Sequence, residues 1–235
     1  QDGKGLEVAG HIVPLVPAAI LFDLSNGGHK NWANNPYPNL GKKAYKNLNT
    51  EFELGSVGAG CGAQGGTMKG GLGSASFKLS NGITVGALVA ANPAGDATDE
   101  TGKHFWAAPF EIDDEFGGFE APRAGNYSKS FKRPELFPLE DRANTTIGIV
   151  ATDAALTKAQ VLRLATSAHD GIARAIVPSH LPYDGDLIFA SSTNELPLRD
   201  ETYDLAEICH AASLCMARAI ARGFYNAENL PGDPM

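Results

Sequence analysis

The sequence predicts an α/β fold in which helices pack against a largely antiparallel sheet. Asn81-Gly82, between two apolar runs, is a strong short-range signal for a β-hairpin. Two long segments near the C-terminus carry apolar residues at helical spacing. Strands and helices mix without the strict alternation of a parallel α/β fold. The 235 residues are 43% hydrophobic and 20% charged, which is an ordinary globular composition with enough chain for a substantial core.

The N-terminal third is predicted to be poor in regular structure. Residues 11–24 are mostly apolar and indicate a buried strand interrupted by prolines. Residues 29–39 are predicted to be a loop and residues 40–48 a short helix. In residues 55–73, nine of nineteen positions are glycine, so few other residues could follow that backbone path.

The hairpin and the segment after it form the middle of the chain. Residues 74–80 and 83–91 are its predicted strands. Residues 92–144 contain prolines at positions 93, 109, 122, 134 and 138 and show little periodicity. Loops of this length inside a compact domain are uncommon and are usually functional or mobile.

The C-terminal part alternates strands and helices. Residues 145–152 have the apolar, partly β-branched content of a strand. Thr157 is a plausible N-cap for a helix that reaches about residue 176. Residues 187–192 predict another strand, and residues 204–222 predict a final helix with Gly223 as its stop signal.

Charge and composition exclude several classes of function. The net charge of −8 argues against a nucleic-acid partner, and no run of 18 apolar residues is available to span a membrane. Cys209 and Cys215 lie on different sides of the last predicted helix, so we expect small core residues rather than a disulfide. The absence of a secretory signal in the N-terminal residues and the few cysteines lead us to expect a cytoplasmic location.

The junction between Asn144 and Thr145 is the first candidate site. Cleavage after Asn144 would leave Thr145 with a hydroxyl and a free α-amine, which are a nucleophile and its own base. A free α-amine has a pKa of roughly 7.7–8.0, so a neutral fraction exists near pH 7. The simpler interpretation is that Thr145 and Thr146 are two β-branched residues that open a strand.

Asp184-Gly185-Asp186 is the second candidate. In an extended segment the two carboxylates face the same way, so they could share a proton or bind an ammonium group. That chemistry suits the orientation of a terminal amine. The alternative is a solvated turn, where Asp-Gly is common.

Lys69 and Asn92 are candidate donors to a developing negative charge. Lys69 lies in the glycine-rich segment, where the backbone can approach closely, and Asn92 follows the second hairpin strand. The alternatives are an exposed loop lysine and a routine Asn-Pro turn. The match of residues 60–65 to Gly-x-Gly-x-x-Gly lacks a clear βαβ unit, so dinucleotide binding is rejected. No cysteine–histidine metal spacing is present, and neither a metal nor an organic cofactor is predicted.

Seven fragments in this order resemble the self-processing N-terminal-nucleophile amidases, a family that includes β-peptidyl aminopeptidases, L-aminopeptidase/D-esterases and nylon-oligomer hydrolases. The fragments are Pro17-Ala18-Ala19-Ile20-Leu21-Phe22-Asp23, Gly58-Ala59-Gly60, Lys69-Gly70-Gly71, Ala91-Asn92-Pro93, Asn144-Thr145-Thr146-Ile147, Ala151-Thr152-Asp153 and Asp184-Gly185-Asp186. The threonine at the cut and the Asp-Gly-Asp segment look most similar to the nylon-oligomer (6-aminohexanoate oligomer) hydrolase branch.

The resemblance implies a fold and a set of roles. The fold is a four-layer α/β/β/α sandwich, of which this chain would lack the family's N-terminal portion. Thr145 corresponds to the nucleophile, Asn144 to the last residue of the upstream subunit, and Asp184 and Asp186 to the paired acids. Lys69 and Asn92 correspond to the site's lysine and asparagine. Where relatives often have a tyrosine, this chain has Phe22, so a hydroxyl donor is missing there.

These observations predict an autoprocessed amide hydrolase that acts on nylon oligomers or small peptides. Residues 1–144 would be the upstream subunit and residues 145–235 the downstream subunit of one domain, and processed protomers would form a homo-oligomer. Two alternatives stay open: an acyltransferase similar to ornithine acetyltransferase, and an unprocessed, non-catalytic subunit.

Overall fold

A computed structural model describes residues 5–123 and 144–233 of the chain. Its strands and helices are, in chain order, β1 (Leu6–Val8), β2 (His11–Val13), α1 (Tyr37–Lys46), β3 (Gly71–Lys78), β4 (Thr84–Asn92), β5 (Thr145–Ala154), α2 (Lys158–Ala175), β6 (Leu187–Leu196) and α3 (Glu201–Tyr225). Short 3₁₀ helices lie at Gly58–Gly60 and Ala108–Phe110. The α/β prediction is confirmed.

Four strands form the main sheet in the order β3-β4-β5-β6. The first three are antiparallel neighbours, and β3 and β4 form the predicted hairpin around Asn81-Gly82. Gly82 has a φ of 94°, a left-handed conformation that glycine adopts without strain. β5 and β6 are parallel because α2 connects them as a crossover helix, so the sheet is mixed.

Helices α2 and α3 cover one face of the sheet. Their apolar stripes meet the inward side chains of β3, β4 and β5 in a continuous core. Close approach of α3 to β3 depends on glycine, since a Cβ atom at Gly73 would lie 1.8 Å from the Ala219 carbonyl oxygen. Gly223 also lies at this contact, with β3 backbone 3.1 Å from the place of its absent Cβ. The predicted helix stop at Gly223 is therefore wrong, and α3 continues to Tyr225.

The N-terminal prediction of a buried strand is also wrong. Only His11–Val13 is a strand, and it pairs with β1 in an exposed two-stranded sheet. Leu15, Val16 and Ile20 are 74%, 77% and 83% exposed. The run is apolar, but the described residues leave these three side chains uncovered.

The predicted loop after β4 is partly core. Ala94, Ala97, Phe105 and Phe116 are fully or almost fully buried there. The segment is also held by a backbone bridge between Asp96 and Val177. Residues 124–143, which belong to the same predicted loop, lie outside the described residues.

Of the four layers that the resemblance implies, the described residues supply one layer of helices, α2 and α3, and the four-stranded sheet that it covers. On the sheet face opposite α2 and α3, Leu88 and Ile149 remain exposed. Within the described ranges, no helix combines the length and apolarity needed to cross a membrane.

Candidate active site

The junction between Asn144 and Thr145 lies at the buried start of β5. Asn144 is 2% exposed and Thr145 is 6% exposed. Thr145 pairs with Asn92, the last residue of β4, in the antiparallel ladder. Asn92 and Thr145, which the sequence suggested as separate candidates, therefore lie opposite each other on adjacent strands.

The Asp-Gly-Asp segment runs beside this junction, just before β6. Asn144 and Asp184 form a parallel bridge three residues before the first β5–β6 pair, Ile147 with Leu187, and in the same register. The Gly185 N–H donates to the Asn144 carbonyl oxygen at 2.7 Å. The Thr146 N–H donates to Asp186 Oδ1 at 2.8 Å. The structure thus brings the predicted acids to the predicted cleavage site.

The two carboxylates have different partners. Asp184 accepts hydrogen bonds from the backbone N–H groups of Leu181, at 2.9 Å, and Ala94, at 3.3 Å. Burial raises the pKa of Asp184 and the nearby Asp186 charge raises it further, whereas these two hydrogen bonds and His180 act in the opposite direction. Asp184 therefore takes up a proton at a higher pH than an exposed aspartate does.

His180 adds a link that the sequence did not predict. Its Nδ1 lies 2.9 Å from Asp186 Oδ2, so Asp186 binds the Thr146 backbone with one oxygen and the imidazole with the other. The His180 ring is 5.3 Å from the ring of His169 on α2. The chain of contacts therefore reaches from the start of β5 to α2.

Asn92 joins three segments through its side-chain amide. Its Oδ1 accepts hydrogen bonds from Asn26 Nδ2 at 2.8 Å and from the Gln64 N–H at 3.0 Å. Its Nδ2 donates to the Phe22 carbonyl oxygen at 2.9 Å. The Phe22 backbone is thus held against the site.

Lys69 is not the exposed loop lysine of the simpler interpretation. Its ammonium group is almost fully buried, forms an ion pair with Asp233 at 2.8 Å and donates to the Cys61 carbonyl oxygen at 2.8 Å. Burial raises the pKa of Asp233, but its hydrogen bonds with Lys69 and the Leu230 N–H, together with the charges of Lys69 and Lys30, lower it by more, so the net direction is downward. The Asp233 contact joins the C-terminal segment to the glycine-rich segment.

A cavity of about 500 Å³ opens beside this network. Asn26, which binds Asn92, is part of its wall, and so is Asp233, which binds Lys69. Trp32 and Tyr37 supply an aromatic wall with their rings edge to face at 5.9 Å. The cavity therefore combines an apolar surface with carboxylate and amide groups next to the Asn92 and Lys69 side chains.

The chain resembles a family of known proteins. Residues 1–234 match the family model described as peptidase family S58. The chain belongs to peptidase family S58. An uncharacterized aminopeptidase of Mycobacterium tuberculosis is 36% identical over 244 residues, which cover 100% of this chain and 70% of the relative. A 6-aminohexanoate-oligomer endohydrolase of Paenarthrobacter ureafaciens is 29% identical over 191 residues, covering 78% of this chain and 51% of that enzyme.

A solved structure supports the fold. The L-aminopeptidase D-Ala-esterase/amidase from Ochrobactrum anthropi, described as a variant of the Ntn-hydrolase fold, is 26% identical with a TM-score of 0.56. The match covers 82% of this chain and 50% of that one. The chain spans about half the length of the solved structures that it matches. The predicted family and the N-terminal-nucleophile type of fold are confirmed.

Sequence reasoning found the acids but missed their surroundings. No sequence motif includes His180 or Asn26, so neither is predicted to lie at the site. Asp233 lies far from Lys69 along the chain, so their ion pair is not predicted either. Gly185 was visible only as the spacer between two aspartates. Its contact with Asn144 follows from the β5–β6 register, which a single sequence does not specify.

Proposed function

We propose that this chain is part of an amide hydrolase that cuts itself between Asn144 and Thr145 and then uses Thr145 as its nucleophile. The observation that carries the proposal is the convergence of Asn92 and the Asp-Gly-Asp segment on this one peptide bond. Membership of a peptidase family and the hydrolase names of the relatives give the reaction class.

The proposed chemistry uses the same hydroxyl twice. Thr145 first attacks the Asn144 carbonyl, and hydrolysis of the resulting ester frees its amine. The mature hydroxyl then attacks a substrate amide while the amine takes its proton, and water releases the acyl group. Asn92 and Lys69 are proposed to assist at the developing oxyanion, and Asp184 and Asp186 to orient the amine.

The proposed substrates are linear amides with a free amine, either ω-amino acid oligomers or small peptides. The cavity supports this choice because it offers aromatic walls for a methylene chain and the Asp23 carboxylate for an ammonium group. The protomers are proposed to assemble as homo-oligomers. An assay that offers both ornithine and water as acceptors distinguishes the hydrolase from the acyltransferase alternative. An ornithine acetyltransferase-like enzyme would transfer the acyl group to ornithine faster than to water.

Adjacent threonines provide the decisive test. Thr145→Val should abolish both self-cleavage and amide hydrolysis because it removes the nucleophile. Thr146→Val is the matched control, since the Thr146 hydroxyl is buried without a hydrogen-bond partner among the described residues. Intact mass and N-terminal sequencing should find a fragment that starts Thr-Thr-Ile-Gly in the native protein and Thr-Val-Ile-Gly in the control.

Either of two results would contradict the proposal. A Thr145→Val protein that still separates into two bands on a denaturing gel would exclude Thr145 as the attacking group. A native protein that stays as one chain and hydrolyses no amide would instead favour the non-catalytic subunit. Hydrolysis is measured with linear 6-aminohexanoate oligomers and aminoacyl-p-nitroanilides.

A further inference from the structure

The Asn144 carbonyl oxygen, on the bond proposed to be cut, already accepts a short hydrogen bond. Its donor is the Gly185 backbone N–H at 2.7 Å. We propose that this N–H is the oxyanion donor of the self-cleavage step. The inference rests on the proposed function, which names the bond, and it adds a backbone group to the side chains that the sequence pointed to.

The donor is fixed before the reaction begins. Asp184, on one side of Gly185, is anchored by the N–H groups of Leu181 and Ala94. Asp186, on the other side, holds the Thr146 N–H. A donor that is held in place on both sides needs little reorganisation when charge develops on the oxygen, and such preorganised donors stabilise transition states most effectively.

The absence of a side chain at Gly185 has a direct reason. A Cβ atom there would lie 3.1 Å from the Thr145 hydroxyl oxygen and 3.5 Å from the Asn144 carbonyl oxygen. A methyl group at this position would therefore crowd the hydroxyl, which would have to shift by a few tenths of an ångström. Because side chains alternate along an extended segment, the Asp184 and Asp186 side chains project from the opposite side.

The step balances without a cofactor. The Thr145 hydroxyl oxygen forms a bond to the Asn144 carbonyl carbon, and the carbonyl π electrons move onto the oxygen that Gly185 binds. The hydroxyl proton is passed to the Thr145 nitrogen as the carbon–nitrogen bond breaks, which leaves an ester and a free amine. Water then hydrolyses the ester to the Asn144 carboxylate and restores the hydroxyl.

Replacing the Gly185 N–H with an oxygen atom tests whether this group is the oxyanion donor. The protein is translated in vitro with glycolic acid at position 185, which replaces the amide N–H with an ester oxygen, keeps every side chain and makes the Asp184 carbonyl oxygen a weaker acceptor. Loss of one oxyanion donor typically slows a reaction by about 10²–10³-fold. We expect the appearance of the fragment that starts at Thr145 to slow by at least about 100-fold.

The matched control is the same chemical change at Leu187, which pairs with Ile147 two positions along the same ladder. The α-hydroxy analogue of leucine there weakens the ladder but leaves the scissile carbonyl untouched, so its splitting rate should stay within a few fold of the native rate. Gly185→Ala keeps the N–H and should still split, more slowly, because its methyl group crowds the hydroxyl. Equal rates for the esters at 185 and 187 would overturn the inference.

If the ester variant fails to fold, a second measurement tests the same hydrogen bond. In the non-splitting Thr145→Ala precursor, NMR should detect a scalar coupling across the hydrogen bond between the Gly185 nitrogen and the Asn144 carbonyl carbon. Absence of that coupling in the folded precursor would also overturn the inference. If the native protein does not split at all, the proposed function fails, which is a different result from unaltered splitting in the ester variant.

Discussion

His169 connects the site's side-chain network to the stability of α2. Burial lowers the pKa of His169, and the neighbouring His180 lowers it further, while the Asp186 and Asp170 charges act in the opposite direction. The folded protein therefore binds a proton at this histidine less readily than the unfolded chain does. By linkage, the free energy of unfolding decreases as the pH falls through about 6.5, the ordinary pKa of histidine.

A substitution at this residue should remove that pH dependence. We expect His169→Gln to flatten the decrease in unfolding free energy between pH 7 and pH 5, because glutamine does not titrate. Urea unfolding at several pH values measures it. His210→Gln, on an exposed position of α3, is the control and should keep the native slope. An unchanged slope in His169→Gln would show that other groups cause the decrease.

At the residue scale, the sequence predicts candidate site residues more successfully than it predicts the contacts that those residues make. Lys69 was singled out by its glycine-rich surroundings, but its ion pair with Asp233 depends on the path of the C-terminal segment. Gly185 lay inside a recognised motif, yet its contact depends on the register of two strands. Contacts between residues distant in sequence are fixed by tertiary packing, which no local pattern encodes.

At the scale of elements, two glycines in one hairpin have opposite requirements. A Cβ atom at Gly73 in β3 would lie 1.8 Å from the Ala219 carbonyl oxygen, so α3 would have to move. A Cβ atom at Gly86 in β4 would meet nothing closer than 3.8 Å. The contact between β3 and α3 therefore tolerates only glycine, whereas Gly86 has room for a methyl group.

Alanine at each position gives a matched pair. Gly73→Ala should lower the free energy of unfolding by about 3 kcal/mol, the upper end of the usual cost of overpacking, or by more. Gly86→Ala should change it little or raise it by up to about 1 kcal/mol, because alanine restricts the unfolded chain. Chemical denaturation of the Thr145→Val precursor, which stays one chain, measures both. Similar losses for the two variants would contradict the assigned contact.

The elements that the sequence predicted well carry their own local signals. Helix α2 begins where expected because Thr157 and Gln160 form a capping box, and its apolar stripe faces the core. The prediction for residues 11–24 failed because apolar composition alone does not say whether anything covers the chain. The helix stop at Gly223 failed because that glycine serves close packing against β3 rather than a turn.

At the scale of the whole molecule, the proposed cut divides the chain without dividing the core. The upstream piece contributes β3 and β4, and the downstream piece contributes β5, β6 and both long helices. β4 and β5 pair along their full common length across the cut. Core residues from both pieces, among them Val89 upstream and Ile172 and Ile220 downstream, belong to one cluster. Neither piece can bury its apolar face alone.

Cleavage is therefore expected to leave one folded unit made of two pieces. After complete splitting, the pieces should co-elute in size-exclusion chromatography under native conditions and separate only on a denaturing gel, because the free energy of the shared sheet and core holds them together. They should also unfold in a single transition, which circular dichroism and intrinsic fluorescence would report at the same urea concentration. The uncleaved Thr145→Val protein is the reference for both experiments. Elution of the downstream piece alone in buffer without denaturant would show that residues 145–235 form a separate domain.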